Sequence, residues 1–412
     1  MITTALLALV VFLVVGTCVC CVLTVMAAHD FMKTAEPPLG KCPPISILRT
    51  LCGRDDRLEE NLRSCFTLDY PDYEILFAVH RADDPAVAVV EKVWREFPHG
   101  PRLRLVETGF STIPNAKAHS LECLVERAKH DILAITDSDV CVPPGLLRSI
   151  AAEFQASDVG VVSCPYRGVP GSSIWSRLEA IGMNTEFLSS VLLARRMGEM
   201  DFALGPTLAT RREVIEALGG YGELGQYCAE DFVIGNRMPA LGYRVVLSRC
   251  IVEHRIGSQP LKLNVSHRLR WARSTRYSRP LAYWGLIFTN PIPVAMLLLV
   301  VRPALWPLAA LTAGLRALTA WAAAKWVLDD PLTAREWWLV PLEDLLSFGT
   351  WIAGFFGNTI EWRGRRFSLF QNGRLQVLGG TPEAASAVGG PQITFPPSDI
   401  TVHEPAEEIL LR

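Results

Sequence analysis

Short apolar runs alternate with helical patterns through the middle of the chain. Runs at residues 45–48, 73–80, 103–106 and 131–136 are bounded by polar residues and are too short for helices, so they predict buried strands. Helical patterns occupy residues 56–63, 85–97 and 117–128 between them. Strands that alternate with helices imply right-handed crossovers and a mostly parallel sheet, so the pattern predicts an α/β fold.

Local signals mark where two of these helices begin. Asp56 with Glu59 three residues later resembles a capping box. Pro85 stands at a first-turn position, where its missing N–H is harmless. The pattern beyond residue 150 is more mixed, with a short strand predicted at 159–162 and helices at 173–193 and 212–218.

The apolar excess lies at the two ends of the chain. Residues 2–28 contain no charged side chain and are long enough to cross a bilayer core of about 30 Å. The segment lacks a basic leader and is longer than the apolar core of a signal peptide, which favours a retained anchor. Lys33, Lys41 and Arg49 follow it, so the positive-inside rule predicts an integral membrane protein whose next domain faces the cytosol.

Three further candidate spans follow near the C-terminus, at residues 281–301, 303–328 and 339–357. The second and third are interrupted by charged residues, which are costly within a bilayer unless they are paired or near an end; they are Arg316, Lys325, Glu343 and Asp344. The number of C-terminal spans and the side of the tail stay open.

The predicted organisation has four parts: an anchor at 1–30, a cytosolic α/β domain at 41–278, membrane segments at 279–360 and a polar tail at 361–412. Residues 379–397 of that tail are rich in Gly, Pro, Ala and Ser and are predicted to be disordered. The net charge of −2 and the lack of a nucleic-acid motif predict no nucleic-acid partner. The 11 cysteines are scattered without a regular framework, which favours a reduced compartment.

Candidate chemistry begins where the fourth strand ends. Asp137 and Asp139 emerge at its carboxyl end, where open α/β sheets bind ligands, and residues two apart on an extended chain point the same way. The pair could therefore share one hard divalent cation. The alternative is an Asx turn with Asp139 capping the following segment.

Four more elements carry polar groups in order along the chain. Asp83 and Asp84 follow the second strand, with an N-cap before Pro85 as the alternative reading. Asn115 and Lys117 follow the third strand and could contact a nucleotide or simply start a solvated helix. The third element is Glu230-Asp231 at the start of a helix, where the alternative reading is that the two acids stabilise the helix dipole. The fourth is Arg270-Trp271, which precedes the membrane segments.

These motifs in this order resemble the three acidic motifs and the (Q/R)xxRW motif of membrane-bound inverting glycosyltransferases with a GT-A fold. An anchor before the domain and a few spans after it are similar to the ceramide glucosyltransferase family and the related bacterial hopanoid-type lipid glycosyltransferases. The resemblance covers roughly residues 2–357. One position departs from the pattern, because residues 267–271 read HRLRW and His267 stands where the family has Gln or Arg.

The resemblance implies a role for each motif. Asp139 and Asp137 would hold Mg²⁺ or Mn²⁺ against the diphosphate, with Asp137 also near the substrate. Asp231 would be the general base, with Glu230 as its competitor. Asp84 would lie beside the uridine and ribose, with Asp83 as a substitute, and Asn115 and Lys117 would contact the nucleotide. His267 and Arg270 would bind the diphosphate, and His254 could be a further metal ligand. Trp271 would line the acceptor cleft or lie at the membrane interface. Arg268, Arg273, Arg276 and Arg279 are expected to face anionic lipid headgroups.

The implied reaction is inverting transfer of a sugar from a UDP-sugar, UDP-glucose first, to the hydroxyl of a membrane lipid such as ceramide or a hopanoid. Three alternatives stay open: a hopanoid-type lipid N-acetylglucosaminyltransferase, a processive polysaccharide synthase, and a non-catalytic membrane scaffold. A polymer channel needs more spans than this chain offers, and the full set of carboxylates argues against the scaffold.

Overall fold

The computed structural model describes residues 2–198, 200–379 and 408–410. The strands are β1 Ile45–Thr50, β2 Tyr73–Val79, β3 Arg102–Glu107, β4 Ile132–Thr136, β5 Val140–Cys141, β6 Val159–Ser163, β7 Tyr166–Pro170, β8 Thr207–Arg211, β9 Arg244–Leu247, β10 Val252–Ile256, β11 Thr359–Trp362, β12 Arg365–Leu369, β13 Leu375–Gly379 and β14 Glu408–Leu410. The α-helices are α1 Ile2–Lys33, α2 Leu58–Phe66, α3 Pro85–Arg95, α4 Ala116–Arg127, α5 Leu146–Glu153, α6 Ile174–Gly182, α7 Leu188–Met197, α8 Arg212–Ala217, α9 Gly220–Leu224, α10 Glu230–Arg237, α11 Leu261–Ser278, α12 Pro280–Gly285, α13 Pro291–Val301, α14 Trp306–Ala320, α15 Pro331–Arg335 and α16 Val340–Gly354.

The chain folds into two compact units that it enters in alternation. The sheet unit comprises Glu36–Pro165, Met200–Arg255 and Thr359–Arg412. The helical unit comprises Met1–Ala35, Tyr166–Glu199 and Ile256–Asn358. This division differs from the continuous domain predicted at 41–278, because the segment around α6 and α7 and the helix α11 pack with the apolar helices instead.

The sheet unit contains an eight-stranded sheet in the order β14-β3-β2-β1-β4-β8-β6-β9. β1, β2, β3 and β4 run parallel, whereas β8 is antiparallel to both β4 and β6. All residues of β4 and β6 are buried, as expected when helices cover both faces of a parallel sheet. The predicted α/β fold with a mostly parallel sheet is confirmed.

The strand order places one crevice at the carboxyl edge of this sheet. β1 pairs with β2 on one side and with β4 on the other, so the chain fills the sheet away from β1 in one direction through β2 and β3 and then in the other from β4 onwards. Such a topological switch point opens a crevice beyond the carboxyl ends of the strands. The loops after β1, β2 and β4, with Asp84 and the Asp137–Asp139 turn, therefore meet at the same edge.

Two predicted helix starts are confirmed and a third is wrong. Asp84 caps α3 by accepting from the Ala86 N–H, and Asn115 caps α4 by accepting from the Ala118 N–H. The capping box predicted at Asp56 is not formed, because α2 begins after Arg57, which adopts left-handed φ of 59° and makes no side-chain cap.

The helical unit is built around α1, which packs against α7, α13 and α14. Val10 and Val14 of α1 form one buried cluster with Val294 and Leu298 of α13. Among the described residues, Thr4–Lys33 is long and apolar enough to cross a membrane, and the pair Pro280–Thr289 and Pro291–Val301 meets the same criterion together with a 66° bend. The predicted span at 281–301 is therefore a broken helix.

The charges that interrupt the later apolar segments are paired inside the helical unit. Arg316 donates to both oxygens of Asp344 at 2.7–3.1 Å, and Arg268 donates to both oxygens of Glu343 at 2.7 and 3.0 Å. All four side chains are buried. Each charge thus has a partner, which is the condition under which ionised groups are tolerated in an apolar environment.

The region predicted as a polar tail contains ordered structure. β11, β12 and β13 form a three-stranded antiparallel sheet, in which Ile360 pairs with Phe367 and Phe367 with Val377. Ile360, Phe367 and Leu369 are buried, and these alternating apolar side chains give the segment a core that its polar composition conceals. The prediction of disorder at 379–397 lies, apart from Gly379, outside the described residues.

Candidate active site

A buried arginine holds the turn that carries Asp137 and Asp139. Arg49 of β1 is fully buried and donates to Thr136 Oγ1 at 3.2 Å, to the Val140 carbonyl at 2.8 Å and to the Asn61 carbonyl at 2.9 Å. Asn61 in turn donates to the Ser138 carbonyl at 3.1 Å. These bonds fix Thr136, Ser138 and Val140, which lie next to Asp137 and Asp139 in the chain. The backbone that carries the two carboxylates is therefore held in place.

Asp139 is paired on one oxygen and unpaired on the other. His254 of β10 lies opposite Val140 in the ladder with β5, and its Nε2 is 3.1 Å from Asp139 Oδ2. Burial alone would raise the pKa of Asp139, but the ion pair with His254 outweighs it and lowers this pKa to about 2. Asp139 Oδ1 is buried and has no hydrogen-bond partner among the described residues. An ionised carboxylate with an unpaired oxygen suits a cation.

Lys117 links two parts of the site. Its Nζ lies 2.6 Å from Asp137 Oδ1 and 3.1 Å from Glu230 Oε1. Burial would lower the pKa of Lys117, but the carboxylates of Asp137 and Glu230 raise it well above its usual value. Lys117 therefore stays charged, and its predicted contact with a nucleotide stays a prediction.

Asn115 is fully buried and its amide is used internally. Besides capping α4, it donates to Glu230 Oε2 at 2.9 Å and to the Tyr227 carbonyl at 3.1 Å. Both oxygens of Glu230 are thus occupied, one by Lys117 and one by Asn115. The geometry gives Asn115 the task of positioning Glu230, and a direct nucleotide contact remains only a prediction.

Glu230 and Asp231 are neighbours in α10, and their pKa values are shifted in opposite directions. Burial would raise the pKa of Glu230, but Lys117 outweighs it and this pKa is lowered. Burial and then repulsion from Glu230 raise the pKa of Asp231 to about 7. A Cβ at Gly205 would lie 2.7 Å from Asp231 Oδ2, so only glycine leaves room for this carboxylate. Of the two acids, Asp231 is the one that exchanges a proton near neutral pH.

The Asp84 carboxylate joins the loop after β1 to the start of α3. Its carboxylate caps α3 and also accepts from the Gly53 N–H at 3.0 and 3.1 Å, where Gly53 adopts a left-handed φ of 70°. Asp83 is exposed and pairs with Arg81 at 2.6 Å. The capping role considered as the alternative for Asp84 is therefore what its contacts show, and the nucleoside contact stays a prediction.

His267, Arg270 and Trp271 lie on α11 in the helical unit. His267 Nδ1 is 2.8 Å from Glu179 Oε1, and the imidazole packs on Trp271 with ring centroids 4.3 Å apart. Glu179 is buried and also accepts from Asn264 at 2.6 Å and from Gln259. Glu179 therefore holds the His267 ring in place on α11, and a contact of His267 with the diphosphate stays a prediction.

The expectation that Arg268 and Arg276 face lipid headgroups is wrong. Arg268 forms the buried pair with Glu343, and Arg276 donates to the Gly354 carbonyl at 2.9 Å and to the Phe355 carbonyl at the end of α16. Periodicity could not reveal this, since both partners are about 75 or more residues away in sequence.

Sequence patterns did not identify three residues whose contacts join distant parts of the chain within one unit. In the sheet unit, Arg49 donates to the Val140 carbonyl and Arg363 interacts with Asp139. In the helical unit, Glu179 pairs with His267. The one local signal is the two-residue spacing at Arg363-Gly364 between two alternating runs, which fits a hairpin in length although Arg is not the usual first residue of its turn. Within the described part of the chain no group of three or more His, Cys, Asp or Glu side chains forms a ready-made metal site.

Comparison with known proteins gives this site a family. A ceramide glucosyltransferase 3 of Caenorhabditis elegans is 24% identical over 207 residues, covering 50% of this chain and 45% of the relative. A ceramide glucosyltransferase of Komagataella phaffii is 35% identical over 140 residues, covering 33% of this chain and 27% of the relative. The chain thus matches less than half the length of these relatives.

A solved structure shows the same fold. It is the mannosyltransferase PcManGT from Pyrobaculum calidifontis in complex with GDP-Man and Mn²⁺, which is 19% identical, covers 84% of this chain and 99% of that one, and superposes with a TM-score of 0.50. The likeness confirms the predicted GT-A fold. The family model described as glycosyl transferase family 21 matches residues 7–375, and the chain belongs to this ceramide glucosyltransferase-like family.

Proposed function

We propose that this protein is an inverting glycosyltransferase that moves a hexose from a UDP-sugar to the hydroxyl of a membrane lipid. UDP-glucose is the first donor to test and ceramide the first acceptor, because the relatives above carry the name ceramide glucosyltransferase. The observation that carries the proposal is the Asp231 carboxylate, whose pKa is raised to about 7 beside an ionised acid held by Lys117.

Asp231 is the general base in this proposal. It accepts the proton of the acceptor hydroxyl as that oxygen attacks the anomeric carbon and the bond from this carbon to the diphosphate breaks. A base works best when its pKa lies near the working pH, which the raised pKa supports. Glu230, the competitor, is engaged by Lys117 and Asn115 through both oxygens and would have to leave these bonds to take a proton.

Asp139, with Asp137, would hold a divalent cation at the donor side. The unpaired Oδ1 of Asp139 fits such a ligand, and two carboxylates suffice where substrate phosphates complete the coordination of Mg²⁺. A protein of this fold binds a sugar nucleotide together with Mn²⁺. When bound, the cation supplies Lewis-acid stabilisation of the leaving diphosphate.

The remaining predicted roles complete the proposal. Asp84 would lie beside the nucleoside. The resemblance also assigns Arg270 and His267, on α11 of the helical unit, to binding the diphosphate as its charge develops. Trp271 lines the acceptor cleft or marks the membrane interface. An apolar helix at Thr4–Lys33 suits a lipid acceptor, and Lys33 and Lys41 after it favour a site on the cytosolic side.

The test uses the full-length protein in membranes of a host that lacks glycosylated ceramide. Radiolabelled UDP-glucose or UDP-N-acetylglucosamine is supplied with Mg²⁺ or Mn²⁺ and with ceramide or a hopanoid, and the products are separated by chromatography. We expect a single-sugar lipid that disappears in Asp231→Asn. The control Asp158→Asn removes an exposed acid paired with Arg244 at 2.7 Å and leaves turnover intact.

Other outcomes identify the alternatives. N-acetylglucosamine transfer to a hopanoid would indicate the hopanoid-type enzyme, and a polymer would indicate a processive synthase. No turnover with any donor and either metal would contradict the proposal and favour a scaffold.

A further inference from the structure

A two-residue turn at the tip of the β11–β12 hairpin carries an arginine. Trp362 pairs with Arg365 across the hairpin, so Arg363 and Gly364 form the turn, with φ of 47° and 73°. Two positive φ values are the pattern of a type I′ turn, which favours Asn or Gly at the first position. Gly364 fits its place, whereas Arg363 holds a strained backbone. Backbone strain of this kind is concentrated at functional sites, which suggests that the Arg363 side chain has a function.

The surroundings of Arg363 belong to the crevice at the carboxyl edge of the sheet. Its guanidinium hydrogen-bonds to Cys52 in the loop after β1 and interacts electrostatically with Asp55 and Asp139. Asp55 accepts from Ser138 Oγ at 2.7 Å, so it too is attached to the turn after β4. The hairpin therefore brings a positive charge close to the turn that carries Asp139.

The basic side chains of this crevice differ in whether a carboxylate already holds them. Lys117 is held between Asp137 and Glu230, and His254 is paired with Asp139. Arg363 is exposed, and its side-chain hydrogen bond is to Cys52 rather than to a carboxylate. Guanidinium groups bind phosphate through paired N–H donors, so an exposed arginine beside a candidate metal site suits an anionic ligand.

We propose that Arg363 binds the β-phosphate of the nucleoside diphosphate and is supplied to the donor site by the hairpin β11–β12. The proposal deepens the proposed function and rests on its nucleotide-sugar donor. Before the donor binds, the guanidinium interacts with Asp55 and Asp139; with the donor bound, it donates to phosphate oxygens and so offsets their repulsion from these carboxylates.

The experiment compares UDP with UMP, which lacks the β-phosphate. Purified full-length protein in detergent with Mn²⁺ is titrated calorimetrically with each nucleotide, as wild type and as Arg363→Asn. Asparagine suits the left-handed turn, so this variant should melt at the wild-type temperature or above. We expect Arg363→Asn to weaken UDP binding about tenfold or more, with UMP binding changed by less than about twofold. Arg363→Lys should recover part of the loss.

Arg366→Asn is the matched control, since Arg366 is exposed on the same hairpin and lies opposite Glu361. It should leave both affinities unchanged. Equal loss of UDP and UMP binding in Arg363→Asn, or no loss of either, overturns the role of Arg363 while wild-type UDP binding keeps the proposed donor class. If the wild type binds no UDP, the donor class and this inference fall together.

Discussion

At the residue scale, the adjacent acids Glu230 and Asp231 differ in pKa because their side chains have different contacts. Glu230 is ionised because Lys117 and Asn115 bind it, whereas Asp231 is half-buried and repelled by Glu230. Catalytic acids and bases often show this kind of divergence between neighbouring groups. The choice of Asp231 as base therefore leads to pH-dependent predictions that a structural ion pair would not give.

The first prediction concerns the acid limb of the pH profile. Asp231 must be deprotonated to act as a base, so kcat/KM should fall about tenfold per pH unit below its pKa of about 7. In Glu230→Gln the repelling charge is gone while Lys117 remains, so the limb should move to lower pH. Initial rates between pH 5 and 9 measure both profiles. A limb that stays in place in Glu230→Gln would contradict the assigned coupling.

The second prediction uses the space beside Asp231. In Gly205→Ala the added Cβ would displace Asp231 Oδ2, which lies 2.7 Å from its position. We expect kcat to fall at least about tenfold, because small displacements of a catalytic group are costly, with little change in donor KM. Gly145→Ala is the control, since a Cβ there meets nothing within 4 Å. Equal losses in both variants would argue against this steric account.

At the scale of elements, the turn after β4 depends on neighbouring elements. Arg49 reaches from β1 and Asn61 from α2, and together they bind Thr136, Ser138 and Val140. A buried guanidinium such as that of Arg49, bound only by carbonyl and hydroxyl oxygens, is uncommon because hydrogen bonds must offset the free-energy cost of its desolvation. Here the strand order makes it possible, since β1 lies beside β4.

The third prediction follows from this arrangement. Arg49→Met should lower the free energy of unfolding by about 2–4 kcal/mol, because three acceptors lose their donor within the core. Arg49→Lys should recover part of it, since one ammonium cannot reach all three. Denaturant titration of the purified protein measures the change. Arg148→Ala, at an exposed arginine paired with Asp69, serves as the unaffected control.

At the scale of the whole molecule, the chain passes repeatedly between two units, and each is held by residues far apart in sequence. In the helical unit, Arg268 with Glu343 and Arg316 with Asp344 join α11 and α14 to α16. In the sheet unit, β11–β13 follow the last helix and contribute Arg363 to the crevice.

The fourth prediction concerns the buried pair Arg268–Glu343. Arg268→Met alone leaves a buried carboxylate without its partner and should destabilise the protein by about 3–5 kcal/mol. The double variant Arg268→Met/Glu343→Met should be more stable than either single variant, since no uncompensated charge remains. Thermal unfolding in detergent gives the three values. Additive losses would show that the two residues act independently.

The sequence alone determined the alternation of strands and helices, the apolar N-terminal helix and the carboxylates at the ends of β2 and β4, because periodicity and helix caps depend on residues close together in the chain. The opposite pKa shifts of Glu230 and Asp231, the burial of Arg268 and the ordered sheet β11–β13 were decided by tertiary structure. Desolvation and ion pairing depend on which distant residues meet, as Lys117 meets Glu230 and Arg363 approaches Asp139, and local pattern carries no information on such meetings.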